Sequence, residues 1–515
     1  MRAALIFVCL LFFIDATGQP PKHEFRGVWI ATVANIDWPS KQGLSTEQQQ
    51  KEFILILEMH KSNGMNAVIV QVRPAADAFY NSPYEPWSKW LTGKIGKYPY
   101  PYYDPLEFMI KEAHARGLEF HAWFNPYRAV VNIDAGIDSS SVAFKNPSLF
   151  VTYGKNMYFN PGLPEARKHT VNVIMDVVNR YNIDGVHFDD YFYPYRIAKV
   201  DFPDSATFEK YKGEFTNKYD WRRNNVDMLI KTLHDSIQQV KPYILFGVSP
   251  FGVWRNKSVD PKGSDTRAGQ TCYDDLYADV LKWMREGWVD YMLPQLYWSM
   301  GNKAAPYDVL VKWWNENSSN VPIIIGHGVY KINVDKDTLW KKPDQVGTQI
   351  RLNRQMSAMK GSAFFSSKSF KANPLGISDS LRTVLYRYKA LQPVMHSQTV
   401  LTERQYPIRF VPRNNGIQLF WSEEKPFKEL SSHGRYVVYR FLNNEFIDTS
   451  NPTNIIAITA GAETTFFDTT AKLRKKYTYV VTSVDRFNLE SKPVYGYSMK
   501  AAKNSWKTFE PILIK

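Results

Sequence analysis

Short apolar segments alternate with helix-like segments along most of this chain, and that alternation limits the folds it can adopt. Eight segments are rich in β-branched and apolar residues: FRGVWIATV from Phe25, NAVIVQVR from Asn66, LEFHAWFN from Leu118, DGVHFDD from Asp184, ILFGVSP from Ile244, VDYMLPQLY from Val289, VPIIIGHG from Val321 and GSAFFSS from Gly361. Strands separated by helices form parallel sheets. Eight such units favour an α/β fold closed into a (β/α)8 TIM barrel over an open doubly wound sheet.

The helices between these segments have recognisable ends. Ser45 and Gln48 can form a capping box, and Gly64 is placed to end the same helix. Asp104 followed by Pro105 predicts the start of the next helix. Further helices are predicted around 164–181, 221–240, 273–286, 306–316, 343–359 and 379–390.

The connections between these elements are unequal in length. Links from a helix to the next strand are short, whereas links from a strand to the next helix are long, as in 73–103, 126–163 and 191–220. In a barrel, the long loops gather at the carboxyl ends of the strands, where such folds build their sites. We therefore expect the functional site on that face.

The two ends of the chain follow other patterns. Residues 1–19 combine a basic start, an apolar run and small residues, which predicts a secretory signal peptide. Residues 20–391 hold the barrel pattern. Residues 392–515 carry short alternating strands separated by turn residues and resemble a fibronectin type III module, a small all-β sandwich.

The predicted signal peptide implies export, with a soluble periplasmic or secreted protein as the expected state. Of the two cysteines, Cys9 lies within the signal and Cys272 stands alone, so an intramolecular disulfide is not expected. A lipid anchor on Cys9 is the less favoured alternative, because apolar residues continue after it. The signal is too short for a membrane span, and none is expected in the mature protein.

The net charge of +14 is compatible with an anionic partner, although a mildly basic surface is the simpler interpretation. Nucleic acid is not expected, because no basic run is interleaved with aromatic residues and because the chain is predicted to be exported. Aromatic residues make up 15% of the chain, and flat rings suit the apolar faces of sugars. The expected partner is a polysaccharide or glycan strand, and the oligomeric state is not predicted.

The strongest local signal for chemistry is the segment IDGVHFDDYFYPY, in which a buried strand ends in Asp189 and Asp190. Burying either acid unpaired would cost several kcal/mol, so both must be hydrogen-bonded, paired or used. A structural role is the alternative, with Asp190 capping the following loop or holding an arginine. Because side chains alternate along a strand, both acids can face a substrate only if the strand has ended.

Two mechanisms of glycoside cleavage fit these acids. In the first, Asp189 is the nucleophile or base, and a second carboxylate comes from another loop, with Asp77 and Glu85 the nearest candidates. Such pairs are separated by ~5 Å for retention or roughly 6.5 to 9.5 Å for inversion. In the second, an N-acetyl group of the substrate is the nucleophile, one Asp orients it, and the neighbouring Asp protonates the leaving oxygen. Both mechanisms stay open at the level of sequence.

Other strand ends contribute polar and aromatic side chains on the same face. Their recurrence favours a sugar site, which needs stacking rings beside hydrogen-bonding groups. The predicted substrate-binding residues are Gln71, Arg73, Trp123, Asn125, Tyr191, Ser249, Gln295, Tyr297, Trp298 and His327, with Phe251 and Ser366 in the same layer. No strand end carries a metal-ligand pattern, and phosphate-binding loops are absent, so neither a metal nor a cofactor is predicted.

Six segments carry a resemblance to a known family: EFRGVWIATVANIDWPS, NAVIVQVRPAADAFY, YDPLEFMIKEAHARGLEFHAWFNPYR, YFNPGLPEARKHTVNVIMDVVNRYNIDGVHFDDYFYP, FGVSPFGVWRN and DYMLPQLYWSMG. Over about residues 24–330 the chain resembles the glycosyl hydrolase-like 10 family of exported bacterial proteins. The resemblance implies a TIM barrel, an envelope location and glycoside hydrolysis. It also implies peptidoglycan glycan strands stripped of their peptides as a substrate, and a catalytic Asp at position 189 or 190.

Other classes of protein share parts of this pattern. HFDDYF is similar to the TFDDG motif of polysaccharide deacetylases, but those metal enzymes also need a paired-histidine segment, which none of His234, His327, His396 and His433 supplies. Chitinase-type barrels carry a glutamate where this chain has Tyr191. A noncatalytic glycan-binding barrel is the main alternative to a hydrolase, because the second carboxylate is not obvious in the sequence.

Overall fold

The computed structural model describes residues 20–395, 403–422, 434–442, 445–460, 463–472, 474–501 and 506–514. The predicted signal peptide with Cys9 lies outside the described residues, as do His396 and His433. Within the described residues, no helix is both long enough and apolar enough to cross a bilayer.

Eight parallel strands close into a barrel, which confirms the predicted fold and rules out the open doubly wound sheet. The strands are β1 (Phe25–Ile30), β2 (Ala67–Arg73), β3 (Glu119–Phe124), β4 (Gly185–Phe188), β5 (Leu245–Val248), β6 (Tyr291–Met292), β7 (Ile323–His327) and β8 (Met359–Phe364). Each strand pairs with its neighbours in chain order, and β1 closes the ring by pairing with β8.

Helices follow the strands and form the outer layer. They are α1 (Thr46–Ser62), α2 (Pro105–His114), α3 (Pro164–Arg180), α4 (Lys218–Val240), α5 (Val280–Arg285), α6 (Tyr307–Glu316), α7 (Gln345–Asn353) and α8 (Ile377–Ser380), which continues as a wider turn over Leu381–Leu385. Shorter helices occupy the loops: Lys89–Thr92, Val142–Lys145, Ser205–Tyr211, Cys272–Asp275 and Lys368–Lys371. The capping box at α1 is confirmed, because the Ser45 and Gln48 side chains each accept from the other's backbone N–H.

Some helices differ from the prediction. The segment 273–286 is not one helix, because Tyr277 has a backbone φ of 53° and interrupts it. The Asp279 side chain then caps the new start by accepting a hydrogen bond from the Lys282 N–H. The helix predicted over 343–359 already ends at Asn353, and the one predicted over 379–390 is shorter and starts earlier.

The core is divided by the barrel wall. One apolar cluster lies between the strands and the helices, and a smaller one fills the barrel interior with residues such as Trp29, Ile69 and Tyr291. The alternation along each strand assigns its residues to one cluster or the other. The site residues are the inward-facing ones at the carboxyl ends, together with the loops above them.

The C-terminal part consists of antiparallel sheets, as predicted. Its main strands are β9 (Ile408–Arg413), β10 (Gly416–Trp421), β11 (Arg435–Leu442), β12 (Ile455–Ile458), β13 (Thr465–Asp468), β14 (Lys476–Val484), β15 (Tyr495–Ala501) and β16 (Trp506–Thr508). One sheet has the order β9-β10-β13 and the other β12-β11-β14-β15-β16, with Ile512–Leu513 also pairing with β15. Phe410 and Leu419 of the first sheet share a core with Tyr479 of the second. The likeness to fibronectin type III stays a prediction.

The C-terminal sheets contact the amino ends of the barrel strands. Glu119, at the start of β3, accepts hydrogen bonds of 3.1 Å from both Arg435 and Asn488. Arg486 donates to Asn182, just before β4, at 2.6 Å. These contacts lie at the end of the barrel opposite the long loops.

Candidate active site

Asp189 and Asp190 follow directly after β4 at the carboxyl end of the barrel. The strand ends at Phe188, so the alternation of side chains no longer separates the two carboxyl groups. Asp189 continues the inward-facing set of β4, two residues after His187, which lies 3.0 Å from the Tyr291 hydroxyl in the barrel interior. Both acids are buried, with exposed fractions of 4% and 2%. The strand therefore ends before the two acids, which is the condition under which both side chains can face a substrate.

Asp189 is held mainly by donors from the end of β3. Its carboxylate accepts hydrogen bonds from Trp123 Nε1 at 3.1 Å and from Asn125 Nδ2 at 3.3 Å. The backbone N–H of Tyr191 donates a third, at 3.3 Å. Burial raises the pKa of Asp189, while the nearby Arg128 guanidinium and these hydrogen bonds oppose the rise because they favour the charged form. Trp123 and Asn125, both predicted site residues, therefore position this carboxylate.

Asp190 has a different environment. It accepts a hydrogen bond of 2.5 Å from the Tyr195 hydroxyl and another from Gln295. Burial, reinforced by the negative charge of Asp189, raises the pKa of Asp190 to about 7. Near neutral pH a substantial fraction of Asp190 therefore carries a proton. Two neighbouring carboxyl groups whose environments separate their pKa values provide an acid and a base in one site.

Aromatic rings from three loops form a row beside the acids. Tyr191 and Tyr195 stack after β4 with ring centroids 5.2 Å apart. Tyr195 contacts Phe251, which follows β5, and Phe251 meets Trp298, which follows β6, at centroid distances of 6.5 and 5.5 Å. Tyr297, also after β6, is half-buried on the same face. The predicted combination of rings and acids is thus present in one place.

Two buried polar atoms at inward-facing positions near the carboxyl ends of strands have no hydrogen-bond partner among the described residues. They are Ser249 Oγ and Gln71 Nε2. The other end of the Gln71 amide is used, since its Oε1 accepts the N–H groups of Thr32 and Val33. Gln295 Nε2 donates to the Ser249 carbonyl at 3.0 Å, which holds that amide next to Asp190. A buried group left without a partner is costly, so these atoms are suited to bind hydroxyl groups of a ligand.

Arg73 and Glu85 are predicted site residues, but in the structure they are buried and paired with each other. Both side chains have no exposed area, and Glu85 accepts from Arg73 at 2.6 and 2.7 Å and from His169 at 3.0 Å. Burial alone would raise the pKa of Glu85, but Arg73 beside it holds the pKa below its ordinary value. Arg73 follows a point at which the pairing of β2 with β3 is irregular, between Gln71 and Arg73. Glu85 is therefore not an available second carboxylate.

Asp77 lies in a neighbouring groove. The groove runs between the loop after β2 and the loop after β3, and Trp90 and Val131 are among its lining residues. Asp77 accepts a hydrogen bond from the Ala75 N–H at 3.1 Å, and burial raises its pKa to about 6. No direct contact joins Asp77 to Asp189 within the described residues. Its predicted catalytic role stays a prediction.

His327 and Ser366 are also placed away from the acids. His327 points outward from β7, where its ring nitrogens lie 2.9 Å from Gln349 Oε1 and 2.9 Å from Ser362 Oγ. Burial lowers the pKa of His327 to about 4. Alternation explains its direction, because the inward position is taken by Gly326. His327 is therefore directed away from the acids, and its predicted role in substrate binding stays a prediction. Ser366 Oγ donates to Asp37 at 2.8 Å.

Arg128 is a site residue that the sequence reasoning missed. Its guanidinium lies over the Tyr191 ring, 4.6 Å from the centroid. Its backbone N–H donates to Asn125 Oδ1 at 2.9 Å, on the same side chain that donates to Asp189. The signal that could have found it is its position three residues after Asn125 in the motif FNPYR.

The assembled site contains a carboxyl group with a pKa raised to about 7, a hydrogen-bonded carboxyl group beside it, and a row of rings. A proton donor and a carboxylate are the groups that cleavage of a glycosidic bond requires. Within the residues described by the structure, no grouping of three or more His, Cys, Asp or Glu side chains is arranged to hold a metal ion.

Comparisons with known proteins identify a family and two named relatives. Residues 24–342 match the family model described as Glycosyl hydrolase-like 10. The chain is 48% identical over 479 residues to glycosyl hydrolase YngK of Bacillus subtilis (strain 168), covering 91% of this chain and 92% of the relative. It is 42% identical over 336 residues to glycosyl hydrolase DigH of Escherichia coli (strain K12), covering 62% of this chain and 76% of the relative.

Solved structures are more distant. The PgaB (BpsB) glycoside hydrolase domain from Bordetella bronchiseptica is similar with a TM-score of 0.43 and 13% identity, over 70% of this chain and 99% of that domain. Alpha-L-fucosidase isoenzyme 2 from Paenibacillus thiaminolyticus also has a TM-score of 0.43, over 71% of this chain and 49% of that chain. On the family match and the level of identity, the chain belongs to the glycosyl hydrolase-like 10 family.

Proposed function

We propose that this protein is an exported glycoside hydrolase that cleaves glycan strands of the cell envelope, with peptidoglycan strands as its substrate. The observation that carries the proposal is the pair of consecutive acids after β4, of which Asp190 has a pKa of about 7 and Asp189 is held by three hydrogen-bond donors. Family membership and relatives named glycosyl hydrolases support the reaction class. The predicted signal peptide is the basis for proposing export.

In this proposal Asp190 is the general acid. It donates its proton to the leaving glycosidic oxygen as the bond from that oxygen to the anomeric carbon breaks. Its Tyr195 and Gln295 partners hold the carboxyl group in place. The row of rings provides stacking surfaces for the pyranose, and Ser249 Oγ and Gln71 Nε2 provide hydrogen bonds for its hydroxyl groups.

Asp189 then acts on the other reacting group. Because Glu85 is neutralised by Arg73 and Asp77 lies in the neighbouring groove, the arrangement favours the mechanism in which both acids come from the end of β4. The substrate's N-acetyl oxygen bonds to the anomeric carbon, and Asp189 orients the acetamido N–H. Water then opens the cyclic intermediate and gives a proton to Asp190, which regenerates the acid.

The proposal is tested with purified wild type, Asp189→Asn and Asp190→Asn. Each protein is incubated with peptide-free peptidoglycan strands and with a panel of other polysaccharides, and the products are identified by mass spectrometry. We expect a ladder of peptide-free fragments from wild type and loss of turnover with retained binding in both variants. Asp235→Asn, an exposed position on α4, is the matched control and should cleave normally.

Two outcomes would contradict the proposal. Undiminished turnover in both variants would show that the acids after β4 are not catalytic. Binding of the strands by wild type without any product would instead identify a glycan-binding barrel that lacks hydrolytic activity.

A further inference from the structure

Arg128 brings a positive charge to the edge of the site. It is half-buried and follows β3, at the start of the loop on the carboxyl face. Its guanidinium lies over the Tyr191 ring, and Tyr191 in turn stacks on Tyr195, whose hydroxyl contacts Asp190. The guanidinium also lies near enough to Asp189 to act on it electrostatically. Arg128 therefore lies near Asp189, and the rings of Tyr191 and Tyr195 separate it from Asp190.

The charge of Arg128 is not neutralised in the way that other arginines on this face are. Arg73 is paired with Glu85 at 2.6 Å, and Arg255 contacts Asp274 at 2.9 Å. In the part of the chain that the structure describes, Arg128 forms no ion pair with a carboxylate, and its side-chain hydrogen bond is a long one of 3.4 Å to the Pro74 carbonyl. Most of its donors are left for another group.

A guanidinium is suited to one kind of partner above others. Its planar donors match the two oxygens of a carboxylate, and such charge-assisted bonds are stronger than neutral ones. The contact with the Tyr191 ring restricts the Arg128 side chain before a ligand binds, so less side-chain freedom is lost on binding. The neighbouring Asp189 already accepts hydrogen bonds from Trp123 and Asn125. The free side of Arg128 thus fits an anionic group supplied by the ligand.

We propose that Arg128 binds a carboxylate carried by the substrate, so that the enzyme selects an acidic glycan. The inference rests on the proposed function and adds the residue that recognises the carboxylate of the substrate. Peptidoglycan strands without stem peptides have this chemistry, because each muramic acid then exposes the free carboxylate of its lactyl ether. A uronic acid polymer would offer the same group, and the experiment separates the two sources.

The test varies the substrate carboxylate and Arg128 independently. Peptide-free peptidoglycan strands are used native or with their carboxylates converted to neutral methylamides, and kcat/KM is measured for wild type, Arg128→Gln and Arg128→Lys. Neutralising the substrate should lower kcat/KM of wild type by about 10- to 100-fold, mainly through KM, as expected for a charged hydrogen bond. Arg128→Gln should cleave both substrates at similar, low efficiency, and Arg128→Lys should recover part of the difference.

Controls exclude a general effect of charge and separate the ligand sources. Arg382→Gln removes an exposed positive charge near α8 and should discriminate between the substrates as wild type does. A uronic acid polymer is assayed in parallel, and cleavage of that polymer in place of the peptidoglycan strands would assign the carboxylate to a uronic acid.

The inference is overturned if wild type cleaves native and neutralised strands equally well, a result that leaves the proposed hydrolase activity intact and needs no variant to be folded. It is also overturned if Arg128→Gln discriminates between the two as strongly as wild type. If wild type cleaves neither the strands nor the uronic acid polymer, the proposal that the protein hydrolyses acidic glycans is wrong. The inference about Arg128 is then wrong as well.

Discussion

At the scale of single residues, the site depends on a difference between two adjacent carboxyl groups. Asp189 receives donors on both oxygens, whereas Asp190 is buried beside the charge of its neighbour. Burial raises the pKa of both groups, but the hydrogen-bond donors and the Arg128 guanidinium oppose the rise at Asp189, whereas the negative charge of Asp189 adds to it at Asp190. Environment, and not side-chain chemistry, assigns the two roles.

The pH dependence of catalysis should report Asp190. Its pKa is raised to about 7, and only the protonated form is an acid, so kcat/KM should fall as pH rises through about 7. Tyr195→Phe removes a hydrogen bond that lowers this pKa, so the alkaline limb should move to higher pH. The measurement is kcat/KM against pH. Tyr219→Phe, at an exposed position on α4, is the control, and a shift of the Tyr195→Phe limb to lower pH would contradict the assignment.

The buried pair of Arg73 and Glu85 should be more important for stability than for chemistry. Glu85→Gln leaves the Arg73 guanidinium buried without its carboxylate, which we expect to lower the free energy of unfolding by about 3–5 kcal/mol. The measurement is denaturant unfolding. The double variant Arg73→Met, Glu85→Leu removes both charges and should recover much of the loss. Equal stability of Glu85→Gln and wild type would show that the pair is not as buried as the structure has it.

At the scale of elements, β5 and β6 pack together in the barrel interior around the ring of Tyr291. The Tyr291 hydroxyl lies 3.0 Å from Nδ1 of His121 and 3.0 Å from Nδ1 of His187. Gly247 makes room for this ring, because a Cβ at that position would lie 1.9 Å from it. His187 precedes Asp189 by two residues, so this packing lies one inward-facing position below the site.

Gly247→Ala should therefore disturb both the barrel and the site. Overpacking costs typically about 1–3 kcal/mol, and we expect at least that loss in the free energy of unfolding together with a lower kcat. Chemical denaturation and initial-rate assays measure the two effects. Gly269→Ala is the matched control, since a Cβ there would meet no atom within 4 Å. An unchanged stability of Gly247→Ala would contradict the packing described for Tyr291.

At the scale of the whole molecule, the C-terminal sheets and the acids occupy opposite ends of the barrel. The sheets contact Glu119 at the start of β3 and Asn182 just before β4, whereas the acids follow the end of β4. Arg486 also places its guanidinium 3.6 Å from the centroid of the Tyr243 ring, before β5. A contribution of the sheets to stability is thus separable from the chemistry.

Loosening this interface should separate stability from turnover. In the variant Arg435→Ala, Arg486→Ala, we expect a lower melting temperature for the C-terminal sheets in calorimetry, with kcat unchanged below that transition. Arg413→Ala, at an exposed position on β9, is the control. A loss of kcat in the double variant while the barrel is still folded would show that the sheets act on the site.

The sequence by itself determined the strands, the starts of the first helices and the location of the main acids. The eight strands, the caps at Ser45 and Asp104, and the long loops on one face follow from local patterns of apolar, capping and turn residues. Asp189 and Asp190 were predictable because two acids directly after a buried strand need an explanation within that short segment. These patterns are local in the sequence, so they can be recognised without knowledge of the fold.

Only the tertiary structure decided which side chains are available for chemistry. Arg73 is buried in an ion pair with Glu85, and His327 points towards the helices. Arg128 lies at the site because its guanidinium packs over the Tyr191 ring. These outcomes depend on partners 12, 22 and 63 residues away in the chain. Burial and charge pairing are properties of the folded environment, so the raised pKa of Asp190 and the lack of an ion pair at Arg128 among the described residues follow from the three-dimensional arrangement alone.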